Sequence, residues 1–240
     1  MLQGLALTPP VIGRISIGKV VEKNGKRLPE KDDEFTVTSQ VQGKDGWIQH
    51  PVDATLRQGA NTKLRSIPIR LLFDDPDLNL RADYTLFDKS TGRPVCVGDG
   101  ETCKRVTTKG IESLPCPSPA GCALAVERHC KPYGRLHVRI GEEDELGSFI
   151  LRTTGFNSIR TLSTRLRYFH AVSGGLLSSL PLELRLRGKS TTQSHRAPIY
   201  YVDLTVRVGM SVADAITNAK TERETRQAAG FDQAALEEAA

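Results

Sequence analysis

Cysteine is absent from most of this 240-residue chain, because all five cysteines lie within residues 96–130. Aromatic residues make up only 5% of the chain, and no apolar run approaches the roughly 20 residues that a membrane-spanning helix needs. The opening MLQGLALTPP has neither the cationic start nor the long apolar stretch of a secretory signal. We therefore expect a globular, cytoplasmic protein with no membrane partner.

Familiar catalytic signatures are also missing. The sequence contains no H-E-x-x-H, G-x-S-x-G, P-loop or G-x-G-x-x-G motif, and its histidines are scattered. The chain is therefore predicted not to be an enzyme. The alternative is a metal-dependent hydrolase, for which Asp74, Asp75 and Asp77 would have to meet near the metal. Three acids around an Asp-Pro pair are more typical of a solvated turn.

The cysteine-rich segment predicts a zinc site. Residues 96–130 contain glycine and proline but few large apolar side chains, so the segment has little from which to build a core. A Zn²⁺ ion bound by four thiolates would supply the missing cohesion. Disulfides, which need an oxidising compartment, and separately buried thiols are the alternatives. The expected ligands are Cys96, Cys116, Cys122 and Cys130, with Cys103 or His129 as alternates and Cys103 as the expected spare.

Positive charge is concentrated in one part of the chain. The net charge is +5, but residues 151–196 alone contain eight basic residues against one acidic residue, Glu183. Seven of the eight are arginine, which suits bidentate contact with phosphate and stacking on bases. An ordinary solvated basic face is the alternative. The candidate nucleic-acid-binding residues are Arg135, Arg139, Arg152, Arg160, Arg165, Arg167, Arg185, Arg187, Lys189, Arg196 and Tyr201.

Alternation of apolar and polar residues predicts the strands. Residues 134–140, GRLHVRI, place leucine, valine and isoleucine on one face and arginine and histidine on the other, and GSFILRTT should return as the second strand of a hairpin. The clearest helix spans about residues 157–171. Asn157 or Ser158 could cap its start, and Gly174-Gly175 should end it.

These patterns predict an α+β fold: an antiparallel sheet with a central helix, a Cys-rich zinc-binding insertion at about residues 94–133 and a C-terminal helical tail. Residues 1–210 are expected to form a single domain. The Ala-rich, acidic residues 211–240 should pack as an extension, mediate association or fray, which leaves a homo-oligomer open. Pro68 in the strand-like SIPIRLLF suggests a sheet edge.

Several blocks of the chain resemble known families. The cysteine segment, the following KPYGRLHV, the Gly-Ser-Phe hairpin and the helix after RTTG resemble phage recombination directionality factors that partner large serine integrases, although the extra Cys103 departs from their pattern. Residues 1–210 look closer to proteins of integrative and conjugative elements labelled hydrolase or metal-binding. The blocks that carry this second resemblance are LRSIPIRLLFDDPDLNLRADYTLFD, GRPVCVGDGETCKR, FILRTTGFNSIRTLSTRLRYF and LRGKSTTQSHRAPIYYVDL.

The resemblance implies a zinc-containing, nucleic-acid-handling accessory protein of a mobile genetic element. Genes of the second group stand beside a phage-type exonuclease, which implies single-strand DNA binding or annealing, with DNA and an integrase or exonuclease as partners. The first hypothesis is therefore a DNA-binding protein, and the second is a directionality factor that acts by contact with an integrase. The double variant Arg165→Glu plus Arg167→Glu should abolish DNA binding under the first hypothesis and spare partner binding under the second.

Overall fold

A computed structural model describes residues 10–23, 26–44, 46–57, 62–141 and 147–238. The strands of this part of the chain are β1 (Val11–Lys23), β2 (Lys26–Gly43), β3 (Gly46–Gln49), β4 (Ser66–Leu71), β5 (Leu80–Phe87), β6 (Pro94–Gly98), β7 (Thr102–Thr107), β8 (Gly110–Pro115), β9 (Lys131–Arg139), β10 (Ser148–Thr153), β11 (Leu182–Lys189) and β12 (Ile199–Val206). The helices are α1 (Pro51–Arg57), α2 (Pro76–Asn79), α3 (Ser118–Gly121), α4 (Ala123–Arg128), α5 (Phe156–Ser173), α6 (Val212–Ala228) and α7 (Gln233–Glu238).

One large sheet dominates the fold. Its strands follow the order β3-β2-β1-β10-β9-β5-β6-β7-β8, which confirms a mixed α+β architecture built on a sheet. The predicted hairpin forms, since β9 and β10 pair antiparallel. The sheet is not wholly antiparallel, however, because β1 runs parallel to β10. Alternation reports which side chains share a face and carries no information about the neighbouring strand, so this pairing lies beyond what periodicity predicts.

Strand β4 connects the large sheet to β11 and β12. It pairs with β11 over its first part and with β9 at Arg70 and Leu71, so the prediction of an edge strand is wrong for the strand as a whole. Pro68 itself lies opposite Glu183 of β11, ahead of the stretch that pairs with β9. A proline is tolerated there because its missing N–H is not needed on the second side.

Helix α5 packs against β12 and closes the main core. Its apolar stripe of Leu162, Leu166 and Phe169 is buried together with leucines of β11 and β12. The helix ends at Gly174, which adopts the left-handed conformation with φ 68°. The predicted cap is wrong: the N-cap is Gly155, without a side-chain bond, while the Ser158 hydroxyl accepts a hydrogen bond from the Val202 N–H at 3.1 Å.

The cysteine segment extends the sheet instead of forming a loop. Strands β6, β7 and β8 make an antiparallel meander beyond β5, and the short helices α3 and α4 follow. We call β6 to α4 the cysteine arm. Backbone pairing with β5 supplies part of the cohesion that the scarcity of large apolar side chains leaves missing.

The C-terminal helices pack on the body of the protein. Ser211 and Asp214 form a capping box at the start of α6, and Ala215 and Ala219 are buried in the main core. Arg223 forms an ion pair with Asp74 that ties α6 to the loop after β4. The described part of residues 211–240 therefore packs on the body of the protein, while association through it stays a prediction.

Asn24-Gly25 and the acidic stretch GEEDELG of residues 141–147 each predict a turn, but residues 24–25 and 142–146 lie outside the described residues. Within the described residues, no helix is long and apolar enough to cross a membrane.

Candidate thiol cluster and basic sheet face

The five cysteines come together in the cysteine arm and in the short connection that follows it. Cys96 and Cys103 lie on the neighbouring strands β6 and β7 and are buried with Leu86 in a small apolar cluster separate from the main core. Cys116, at the end of β8, and Cys130, just before β9, pack against this cluster. All five side chains are free thiols.

Gly98 allows the close approach of two of these thiols. A Cβ atom at this position would lie 2.7 Å from the Cβ of Cys103 and 2.9 Å from the Sγ of Cys116, distances that atoms in contact do not tolerate. The main-chain N–H of Cys116 also donates to the carbonyl of Glu101 at 2.8 Å, which holds the end of β8 over the β6–β7 turn. The backbone thus brings Cys116 onto the pair formed by Cys96 and Cys103.

The thiols of the cluster influence one another electrostatically. Burial raises the pKa of the Cys130 thiol, and the other four cysteines raise it further. Burial also raises the pKa of Cys103, as does its hydrogen bond with Cys96. The Arg105 guanidinium lies beside these sulfurs, and the contact with Cys96 raises the pKa of Arg105. The positive charge of Arg105 lowers the pKa of Cys103, but burial and the neighbouring Cys96 have the larger effect and raise it.

The sulfur atoms of the cluster are of the donor type that zinc prefers. They are not arranged as a complete coordination site in the described part of the chain. Thiolates are preferred zinc ligands, and five cysteines that could supply them are gathered here. Among the described residues, no three cysteine, histidine, aspartate or glutamate side chains are arranged as a ready metal site. Cys103, the expected spare, is among the most buried of the five, at 3% exposure, whereas His129 is exposed. The burial of Cys103 therefore gives no reason to treat it as the cysteine that does not bind zinc.

A second feature is a row of arginines. It crosses the face of the large sheet that lies opposite the main core. Arg81, Arg135 and Arg152 lie directly opposite one another on β5, β9 and β10. Arg14 of β1 lies on the same face, and burial together with the charge of Arg152 lowers its pKa. We call these four residues the arginine row. Like charges directly opposite each other destabilise a sheet, so this arrangement has a cost in the protein alone.

Two aromatic rings accompany the arginine row. The guanidinium of Arg14 stacks over the ring of Trp47, 3.9 Å from its centroid, and that of Arg135 lies 5.6 Å from the ring centroid of Tyr133. Both rings are half-buried. Asp83 compensates part of the charge through an ion pair with Arg135 at 3.3 Å. The face thus combines cations with ring surfaces.

His137 lies among the arginines, opposite Ile150 on the same face. Burial, reinforced by the charges of Arg81, Arg135 and Arg152, lowers the pKa of His137 to about 4. Its Nδ1 atom is buried without a hydrogen-bond partner among the described residues. The imidazole is therefore neutral at neutral pH.

The predicted basic residues on α5 and β11 have a different environment, because buried acids neutralise several of them. The carboxylate of Asp203, 4% exposed, binds Arg165 at 3.1 Å and Arg187 at 3.3 Å. Glu183 binds Arg185 in the same way. These three arginines satisfy buried carboxylates, which limits the charge that they present to a partner.

The remaining predicted basic residues are spread over several surfaces. Arg160 and Arg196 are exposed, while Arg167 lies 3.6 Å from the exposed Asp77. Lys189 donates to Asn157 at 2.9 Å and lies 6.0 Å from the ring of Tyr201. Arg139 follows His137 on β9, opposite Arg70. The eleven predicted residues therefore do not form one surface.

The acids of the hydrolase alternative have structural partners. Asp74 accepts a hydrogen bond from the Ser178 N–H at 2.8 Å in addition to its ion pair with Arg223, and Asp75 caps helix α2 by accepting from the Asp77 N–H at 2.7 Å. Asp77 points to solvent, with its side chain 81% exposed. The three carboxylates do not meet at a common point.

Sequence reasoning did not select four residues of the basic face: Arg14, Arg81, Trp47 and Tyr133. The signal for Arg14 and Arg81 was their place in the alternating stretches VIGRISI and LRADYTLF, where each arginine is polar among apolar neighbours. Nothing in the sequence indicates that β1, β10, β9 and β5 are adjacent, however. Their common face therefore emerges only from the strand order.

The fold and the two sites define an α+β protein that presents a thiol cluster on one arm of a large sheet and a basic face on the sheet itself. The chain belongs to the Gp3-like, recombination directionality factor-like family, whose model matches residues 12–207. The match covers the body of the protein and stops before α6, and it gives the chain a recombination-related accessory role. The predicted resemblance to phage recombination directionality factors is confirmed at the family level.

Comparison with curated proteins and with solved structures gave no match. The resemblance to proteins of integrative and conjugative elements stays a prediction.

Replacing His137 should flatten the pH dependence of stability. Its pKa is about 4 in the folded protein. Because an unfolded histidine titrates near about 6.5, the unfolded state binds the proton first, and folding stability falls as the pH drops below that value. Between about pH 8 and pH 5, the wild type should lose about 1–2 kcal/mol more than the His137→Asn variant.

Urea unfolding at the two pH values measures this difference. The exposed His195 offers a matched control, since His195→Asn should keep the wild-type slope. Identical slopes for the wild type and His137→Asn would contradict the assignment of a neutral, half-buried His137.

Proposed function

We propose that this protein is a recombination directionality factor that binds a large serine integrase and changes the direction of its reaction. The observation that carries the proposal is the family match, which spans residues 12–207 and so includes both the cysteine arm and the central helix α5. Binding of a protein partner requires an accessible surface and no catalytic residues. The proposal also agrees with the structural roles of Asp74 and Asp75 in the described part of the chain, where both carboxylates already have partners.

The integrase contact is proposed to lie on the hairpin of β7 and β8. Strand β8 is the outermost strand of the large sheet, so its outer edge is available for pairing. Val106 and Ile111 lie directly opposite each other on this hairpin and are 54% and 74% exposed. A pair of exposed apolar side chains on an edge hairpin supports a role as a docking point.

The cysteines are proposed to bind one Zn²⁺ through Cys96, Cys116, Cys122 and Cys130, with Cys103 or His129 as alternates. The gathering of all five thiols supports this proposal. Metal binding displaces the thiol protons, and the resulting thiolates can then share one cation. A zinc ion at this place would stabilise the base of the β7–β8 hairpin and has no proposed catalytic role.

Charged substitutions on the hairpin should weaken integrase binding. Burial of an apolar side chain contributes about 1.5–3 kcal/mol, so the double variant Val106→Lys plus Ile111→Lys should lower the affinity for the purified integrase by at least about tenfold. The matched control is Val208→Lys, because Val208 is 73% exposed and lies far from the hairpin in the chain.

Two measurements test this prediction: the dissociation constant of the complex and the ratio of excision to integration on plasmid substrates. Wild-type protein that neither binds the integrase nor changes this ratio would refute the proposed function. An effect of Val208→Lys equal to that of the double variant would refute the docking site alone.

The zinc proposal predicts about one zinc ion per chain by elemental analysis of the purified protein. Cys→Ser variants at the four ligand positions should lose the metal, whereas Cys103→Ser should retain it. Removal of zinc by a chelator should lower the free energy of unfolding by about 4 kcal/mol when free zinc exceeds the dissociation constant roughly 1,000-fold. Cobalt substitution without thiolate charge-transfer bands, or full zinc retention in all five variants, would exclude a thiolate site.

A second candidate function is the binding or annealing of single-stranded DNA during recombination. The observation that favours it is the register that aligns Arg81, Arg135 and Arg152 across three strands. An anion with repeated charges would relieve the repulsion within this row. DNA binding and integrase binding do not exclude each other, because the arginine row and the β7–β8 hairpin are separate surfaces.

Binding of fluorescent single-stranded oligonucleotides at two salt concentrations tests this second function. With about four phosphate contacts, the slope of log K against log salt should be near −3, so a rise from about 50 to 200 mM salt should weaken binding roughly 50-fold. The absence of binding at the lower salt concentration would exclude the function.

A further inference from the structure

The outer face of the large sheet has the properties of a polyanion site. Arg14, Arg152, Arg135 and Arg81 cross four neighbouring strands in the order β1, β10, β9 and β5. With strands about 4.8 Å apart, the row extends over about 14 Å, several times the roughly 3.4 Å rise between phosphates along one strand of B-DNA. The row can therefore contact more than one phosphate of the same chain.

The charge of this row is only partly balanced inside the protein. Asp83 pairs with Arg135, but neither Arg81 nor Arg152 has an ion-pair partner in the part of the chain that the structure describes. Arg152 is exposed, and the neutral His137 lies between the arginines. This contrasts with α5 and β11, where Asp203 and Glu183 hold three arginines in place.

The rings beside the row provide surfaces for bases. Trp47, stacked under Arg14, stands at one end of the face, and Tyr133 lies next to Arg135 on β9. Bases stack on aromatic and guanidinium planes when they are unpaired, whereas the bases of a duplex are covered by their neighbours. Phosphate contacts combined with stacking surfaces are therefore suited to a single strand.

We propose that single-stranded DNA lies across the outer face of β3, β2, β1, β10, β9 and β5, with its phosphates on the arginine row and its bases on Trp47 and Tyr133. This inference deepens the second candidate function and rests on it. It assigns binding to the sheet face and not to the basic residues of α5, β11 and the loop between β11 and β12.

Fluorescence of the single tryptophan gives a direct test. Titration of the wild type with a thymidine oligonucleotide should quench Trp47 in proportion to binding, because the bases stack on its ring. The double variant Arg81→Glu plus Arg152→Glu should bind at least about tenfold more weakly at low salt. Its glutamates face Arg135, so the fold gains ion pairs, and circular dichroism verifies that the variant is folded.

The matched control is Arg160→Glu plus Arg167→Glu. It lowers the net charge by the same amount on the exposed side of α5, and it should change the affinity by less than about threefold. Arg165 is a poorer control, because its replacement would leave the buried Asp203 without one of its partners. The milder variant Arg81→Gln plus Arg152→Gln should give an intermediate loss.

The outcomes separate this inference from the function on which it rests. Binding without quenching of Trp47, or a larger loss in Arg160→Glu plus Arg167→Glu than in the sheet variant, would overturn the sheet surface and leave DNA binding intact. Equal affinity for duplex and single strand would overturn the assignment to single strands. If the wild type binds no oligonucleotide, both the surface and the second candidate function fail.

Discussion

Strand β9 is the element on which the rest of the structure depends, because it pairs with different strands along its length. One edge pairs with β10, while the other pairs with β5 at its start and with β4 at its end. The sheet divides at this point: β5 leads to the cysteine arm, and β4 leads to β11 and β12. Leu136 and Val138 anchor β9 in the main core, which directs Arg135 and His137 to the opposite face.

This division separates the two sites in space. The thiol cluster depends on the meander beyond β5, where backbone pairing brings Cys96 next to Cys103 and the absence of a side chain at Gly98 leaves room for Cys116. The basic face depends on β5, β9 and β10 having a common register, which places three arginines in line. One strand network therefore carries both the hairpin of the proposed protein contact and the sheet face of the proposed polyanion contact.

Sequence patterns predicted the local elements well where one physical signal dominated. The alternation of GRLHVRI and the apolar spacing of α5 correspond to β9 and to the helix that closes the core. The concentration of positive charge in residues 151–196 did not anticipate Asp203, which follows that segment and binds Arg165 and Arg187 from β12. The cap at Asn157 or Ser158 failed for a similar reason, since the Ser158 hydroxyl has a tertiary partner, the Val202 N–H.

The sequence by itself determined which residues share a face, where the thiols concentrate and where the main helix ends, because these properties depend on periodicity and on neighbours along the chain. The tertiary structure alone decided that Arg81 and Arg14 join Arg135 and Arg152, and that buried carboxylates neutralise the arginines of α5 and β11. Strand order and register follow from packing of the whole core, and a period of two residues is the same whichever strand lies alongside.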